Sequence, residues 1–347
     1  MPGIRDYKFF QFPEAPFKPE CGICNSGDNA LKCARCKVQY YCSQDHQKQH
    51  FAAHKKACAK VGKSITKVNV EERKLRASPP DVVPPDLFEE DVGHFWGIHE
   101  TRTYMRSRFE HFDALREIKT YESLKAQLDV TLDMLRLSRG DNMGIRDHVP
   151  GLMLQLHQDQ EAYDFIKWWR TTAEKRNYDW GDLEAPYLDI HGADVFEPVD
   201  FMDTRFGSLP FTTAMVLLKI KLQLDIHAMT NPEPLRRLLP SEVADQIVQS
   251  NVRSSIITTR PNLQSEAAQL IGTLDRHLDV LFSAAKTQND QIWTLLVDWD
   301  PAKHKLPMAY MMGSMEEAKL VLFASFDAWK TVPGAIEVVR AWLRSGK

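Results

Sequence analysis

The sequence predicts a small metal-stabilised module followed by a mainly α-helical domain. Three observations predict it. All six cysteines fall between Cys21 and Cys58. The first 70 residues hold 12 Lys and Arg against 5 Asp and Glu, a formal +7, so the remainder of a chain of net charge −3 carries −10. Beyond residue 100, apolar residues recur at helical spacing almost to the end.

Residues 21–58 present donors at the spacing Cys21-x2-Cys24-x8-Cys33-x2-Cys36-x5-Cys42-x3-His46-x7-His54-x3-Cys58. A C-x2-C turn sets two sulfurs roughly 3.5–4 Å apart, one edge of a metal–thiolate tetrahedron. A three-residue gap on a helix puts two donors on one face, one turn apart, which suits Cys42 with His46 and His54 with Cys58. Four pairs make two four-coordinate sites, and zinc is the metal whose structural sites take such Cys/His sets. Spacing alone does not say which pairs combine. Six cysteines also allow three disulfides, but clustering in a chain with no basic start and apolar leader favours metal and an intracellular protein, in nucleus or cytoplasm.

The motifs CGIC (21–24), CARC (33–36), YCSQDH (41–46) and HKKAC (54–58) resemble the MYND-type zinc finger. The resemblance implies interleaved pairs and two structural Zn²⁺ per chain. One would be held by Cys21, Cys24, Cys42 and His46, the other by Cys33, Cys36, His54 and Cys58. The chain departs from the family twice. His46 stands where cysteine is usual, a change zinc accepts. Phe51 stands where the family has tryptophan. His50, four residues from both His46 and His54, reads as a surface or supporting histidine, with exchange for His46 as the alternative.

The resemblance also implies a partner. MYND fingers of corepressors take short proline-containing peptides in a shallow groove, and the matching positions here are Ser43, Gln47, Phe51 and Tyr41. Such peptides are partly ordered before docking, so they lose little entropy. Tyr41 and Phe51 serve equally well as the small module's own core. Lysines 48, 55, 56, 60, 63 and 67 make the finger's far side basic. That is a solvated face or, as the alternative, a nucleic-acid contact.

The chain then divides as 1–20, an N-terminal extension; 21–58, the finger; 59–100, a basic then Pro-rich linker; and 101–347, the helical domain. ASPPDVVPPDLFEED (77–91) carries two Pro-Pro steps, which stop helices and favour extended chain. Residues 61–100 read as a short helical extension followed by a semi-rigid spacer, with docking of VVPPDLF on the finger as the sharper alternative.

In YESLKAQLDVTLDMLRL (121–137), Leu124, Leu128, Leu132 and Leu135 form one stripe. RGDN (139–142) breaks that helix, and Pro150 restarts or kinks the next. Further helices are expected at 159–175, 210–229, 241–252, 263–285, 315–330 and 334–344, with 176–207 irregular. The apolar run 211–224 holds two lysines and is too short for a bilayer, so it reads as a buried helix. Ala-x2-Phe steps suggest TPR-like stacked hairpins. Residues 134–169 resemble the body of fungal MYND-finger proteins, and 289–339 the closing segment of TPR-like helical proteins.

P-loop, G-x-G-x-x-G, G-x-S-x-G and H-E-x-x-H motifs are absent from the sequence. The SET motifs of SET–MYND methyltransferases do not occur either. The expectation is a non-catalytic zinc-binding adaptor that reads proline-containing peptides, regulatory and linked to transcription. Nucleic-acid binding and a helical enzyme of unrecognised type are the alternatives.

Overall fold

The computed structural model describes residues 19–27, 31–174, 178–205 and 207–346. Two compact units emerge: residues 1–152 with 179–187, and residues 153–178 with 188–347.

In the first unit, β1 (Leu31–Lys32) pairs antiparallel with β2 (Tyr40–Tyr41), and Cys21 bridges to Tyr40. α1 (Gln44–Arg76) follows at once and runs 33 residues. Ser43 caps it, its hydroxyl accepting from the His46 N–H at 3.2 Å. The helix does not stop at the last cysteine. Through Val61 and Ser64 it packs along α3 (Thr101–Leu115), which in turn packs on α4 (Tyr121–Leu137). One core joins them: Cys21, Cys33, Cys36, Val38, Tyr41, Cys58 and Val61 touch Ala114, Leu115 and Ile118. Outside that core, Lys60 reaches Asp113 at 3.1 Å and Glu117 at 2.7 Å, and Lys67 reaches Glu110 at 2.7 Å.

Residues 59–100, expected as a linker, are therefore structured. Between α1 and α3 the chain makes turns and the short helix α2 (Leu87–Glu90), burying Val83, Leu87 and Phe95. Phe88 meets Phe95 and Tyr104 edge-on, with Arg76 4.1 Å above its ring. Val83 and Leu87, which a docking peptide would have to present, are thus already inside this unit. Gly93, at φ 110°, donates to the Leu137 carbonyl and accepts from the Arg139 N–H. The break at 139–142 is a turn whose Asp141 carboxylate accepts from the N–H groups of Ile145 and Arg146. After it, α5 (Val149–Gln155) restarts with Pro150 in its first turn, where a missing N–H costs nothing.

The second unit is helical: α6 (Asp159–Trp168) with a π-turn to Ala173, α7 (Leu209–Thr230), α8 (Glu233–Leu238), α9 (Ser241–Gln249), α10 (Ser255–Thr258), α11 (Leu263–Gln288), α12 (Ile292–Val297), α13 (Met315–Lys330) and α14 (Ala335–Arg344). α7 is the 211–224 apolar run, buried on every side. α11 lies along it, and α6, α8, α9, α10, α13 and α14 also touch it. Its two lysines are held inside by partners. Lys221 meets Asp159 at 2.7 Å, and Lys219 donates to the Val195 carbonyl beneath the Tyr163 ring. Trp168 and Trp169 are both core, with Trp168 donating to Asp189 at 2.8 Å. No helix among the described residues is long and apolar enough to cross a membrane.

Candidate metal centre

Each zinc ligand sits where a local rule puts it. Cys21 and Cys24 close one knuckle, in which the Asn25 N–H donates to the Cys21 carbonyl at 2.9 Å. Cys33 and Cys36 close the other, with the Lys37 N–H on the Cys33 carbonyl at 3.0 Å. Asn25 and Lys37 hold the same left-handed corner, at φ 57° and 63°. β2 delivers Cys42, and α1 carries His46, His54 and Cys58.

Two groups of four donors result: Cys21, Cys24, Cys42 and His46, and Cys33, Cys36, His54 and Cys58. Within each group every ligand atom lies within 4.8 Å of the others. A zinc tetrahedron with bonds of about 2.3 Å to sulfur and 2.05 Å to nitrogen has edges of about 3.8 Å (S–S) and 3.6 Å (S–N). The observed edges are 3.6 Å for Cys24–Cys42, 3.8 Å for Cys33–Cys58, 3.4 Å for Cys21–His46 and 3.5 Å for Cys36–His54. The Cys42–His46 edge is tighter at 3.1 Å. Sulfurs 3.6 Å or more apart form no disulfide, and all six thiols are free. The sites fit two zinc ions, held by Cys Sγ atoms, His46 Nδ1 and His54 Nε2.

The thiols need a dication between them. Burial raises Cys21, but backbone N–H groups at Cys24, Cys42 and Ile23 outweigh it and bring the thiol to about 5. Cys58 is pushed up to about 12 by burial and by the negative charge of Cys36 and Cys33. Each site holds one thiolate readily and resists the next, a repulsion that Zn²⁺ cancels. With four protein donors and none left open, such a zinc supplies structure rather than a place for reacting water.

The second site is buried throughout, whereas in the first only Cys21 is buried and Cys24 is exposed. His50 joins neither group. Its Nδ1 meets the Tyr41 hydroxyl at 3.0 Å and its ring stacks on His54.

The four residues expected to hold a peptide do not share one surface. Gln47 and Phe51 are exposed, one turn apart on α1; Phe51 is 56% exposed, with Lys55 over its ring. Ser43 is half-buried and occupied as the helix cap. Tyr41 belongs to the core at 2% exposure, because the ring fills the space beside His54 that so small a module cannot leave empty. Sequence reasoning missed the contribution of the α3–α4 turn. Thr120 donates to the Val38 carbonyl at 2.6 Å across 82 residues, a partnership with no local signal.

Two closed, interleaved sites on one knuckle pair and one helix define a small module built around structural zinc. Residues 21–58 match the family model of the MYND finger, so this chain carries a MYND-type zinc finger followed by a mostly helical remainder. It is similar to Egl nine homolog 1 of Homo sapiens, 31% identical over 65 residues, 19% of this chain and 15% of that protein. Egl nine homolog 1 of Mus musculus is 32% identical over 60 residues, 17% of this chain and 14% of that protein. The chain thus spans only a small part of these relatives' length. No solved structure matches.

Proposed function

We propose that the chain is a non-catalytic adaptor, in nucleus or cytoplasm, whose finger binds proline-containing peptide motifs of partner proteins in a regulatory setting. The observation that carries this is the exposed Gln47–Phe51 pair on a helix anchored by three zinc ligands. Gln47 supplies an amide for a peptide carbonyl and Phe51 a flat apolar face for a proline ring. Both zinc sites are closed by protein donors, which supports a binding role over a catalytic one.

The basic flank weighs less for nucleic acid than its sequence suggests. Lys60 and Lys67 are paired with acidic groups of α3, and Lys48 lies 3.9 Å from Asp45. The test is binding of the full, zinc-loaded chain to an array of proline-motif peptides at two salt concentrations. The adaptor reading expects a hit insensitive to salt and lost in Gln47→Ala and Phe51→Ala. An array without hits, or a hit that both variants retain, refutes it.

A further inference from the structure

The described chain begins at Pro19, and Glu20 leads straight into Cys21, whose N–H donates to the Ser26 carbonyl at 2.9 Å. The stretch up to that point reads FFQFPEAPFKP (9–19). We propose that this stretch docks on the exposed Gln47–Phe51 face of its own finger and competes there with the peptides of partner proteins. The inference rests on the peptide-binding reading of that face.

Three features select this occupant. The first is its chemistry. Solvated tails are poor in aromatics, yet four phenylalanines fall here within nine residues. Pro13, Pro16 and Pro19 recur at a spacing of three, the period of a polyproline II helix, which presents such prolines along one edge. Phe51 offers that edge an exposed ring, and Gln47, one turn before it, offers an amide to a carbonyl beside Phe12 and Pro13. The second feature is charge. Glu14 follows Pro13 at once, and the Lys55 ammonium lies 5.7 Å from the centre of the Phe51 ring. Pro13 on the ring would bring the two charges together. The third is reach. The Gly22 N–H donates to the Tyr40 carbonyl at 3.0 Å, and a Cβ on Gly22 would meet Nδ1 of His50, the residue before Phe51, at 3.2 Å. Glu20 therefore lies no more than roughly 25 Å from the Phe51 ring. A polyproline chain advances about 3.1 Å per residue, so Phe12 and Pro13 can stand about 22–25 Å from Glu20.

One ring contact and one hydrogen bond correspond to an affinity of about 1 mM. A short tether supplies an effective concentration on the order of 1 mM. The face is then covered about half of the time, and an outside peptide binds about twofold more weakly than on a bare finger.

The test compares the full zinc-loaded chain with a variant lacking residues 2–16. The full-length double variant Phe12→Ser, Pro13→Ser serves if the truncation loses zinc. Amide NMR should show shifts at Gln47, Phe51 and Lys55 in either variant relative to the unaltered chain. A synthetic peptide of residues 7–18 should saturate the truncated chain at about 1 mM and bind the full chain about twofold more weakly. It should not bind the truncated chain carrying Phe51→Ala. Unchanged amides at those three positions, or equal affinity for full and truncated chains, overturns the assignment. The proline-motif array, run on the truncated chain, separates the two readings. Array hits without binding of the chain's own peptide refute the docking and leave the adaptor standing. Binding of that peptide without array hits keeps the docking and refutes the adaptor.

Discussion

Truncating Val61 tests whether the finger and the helices behind it are one folding unit. Val61 lies three residues past the last ligand, fully buried among Cys21, Cys33, Cys36, Cys58, Ala114, Leu115 and Ile118. Val61→Ala removes two methyl groups, each about 0.8 kcal/mol of transfer free energy. The metal sites and the α3 contact keep the walls from closing on the void, which brings the total to about 2 kcal/mol. In a module this small, zinc binding and folding are one equilibrium, so the loss appears in metal affinity. At about 1.4 kcal/mol per tenfold, the expected weakening is about thirtyfold. The assay is competition for zinc against a chromogenic chelator on the full chain. Lys56→Ala, at an exposed position of the same helix, is the control. If Val61→Ala binds zinc as tightly as that control, the helix beyond Cys58 is independent of the finger and the shared core is without energetic meaning.

Metal analysis of the intact chain should give two zincs, and Cys24→Ser, at the exposed corner of the first site, should retain the buried second one. Cys36→Ser, in the fully buried site, should lose both, because Tyr41, Val38 and Val61 pack on the same core; retention of one zinc would count against the shared core. Lys37→Gly should stabilise the finger by about 0.5–1 kcal/mol, because glycine accepts the left-handed corner without the Cβ clash; urea titration with zinc held saturating reads this, and destabilisation refutes it. Burial holds His157 and His277 neutral down to about 4, helped by the neighbouring Lys221 for the first and by Lys219 and Arg276 for the second. Unfolded, both would take up a proton near 6.5, so their contribution is complete above that pH and is lost as pH falls towards 4. Discounted for partial exposure, each should cost about 1 kcal/mol per pH unit; urea titrations at pH 7, 6 and 5 followed by tryptophan fluorescence check it, and a flat profile refutes it.

The eight ligands were legible because zinc restricts both residue type and spacing, and each Cys or His had to be spent somewhere. The helices at 121–137, 263–285 and 315–330 were legible because their apolar stripes repeat within the segment itself. The true extent of α1 was not. Past Cys58 its sequence is polar with isolated Val61 and Ile65, and these positions acquire meaning only when α3 lies against them. The ion pairs of the basic flank were hidden for the same reason, since the acidic partners of Lys60 and Lys67 lie more than 40 residues away. Pro-Pro steps correctly kept 77–86 out of a long helix, yet they carry no information on whether Val83 is buried. Along α7, unbroken apolarity announced burial on all sides. It could not announce which helices surround it, because that is decided by residues of α11, α13 and α14 that share no local pattern with it.

The distribution of ligands on α1 argues for what the two zincs contribute. His46 belongs to one site, His54 and Cys58 to the other, so the first four turns of the helix are tied to both knuckles. The following turns are tied to α3 by Val61, by Ser64 meeting His111 at 3.0 Å, and by Lys60 and Lys67. An isolated helix of this polarity would be marginal in water. Here it is fixed at one end by metal and along its length by packing, so its exposed side is held without help from its own sequence. Gln47 and Phe51 are therefore free of any duty in folding. Exchanging them should leave stability within about 0.5 kcal/mol, as for other surface positions. A larger loss in Phe51→Ala would mean that the ring packs on the finger after all.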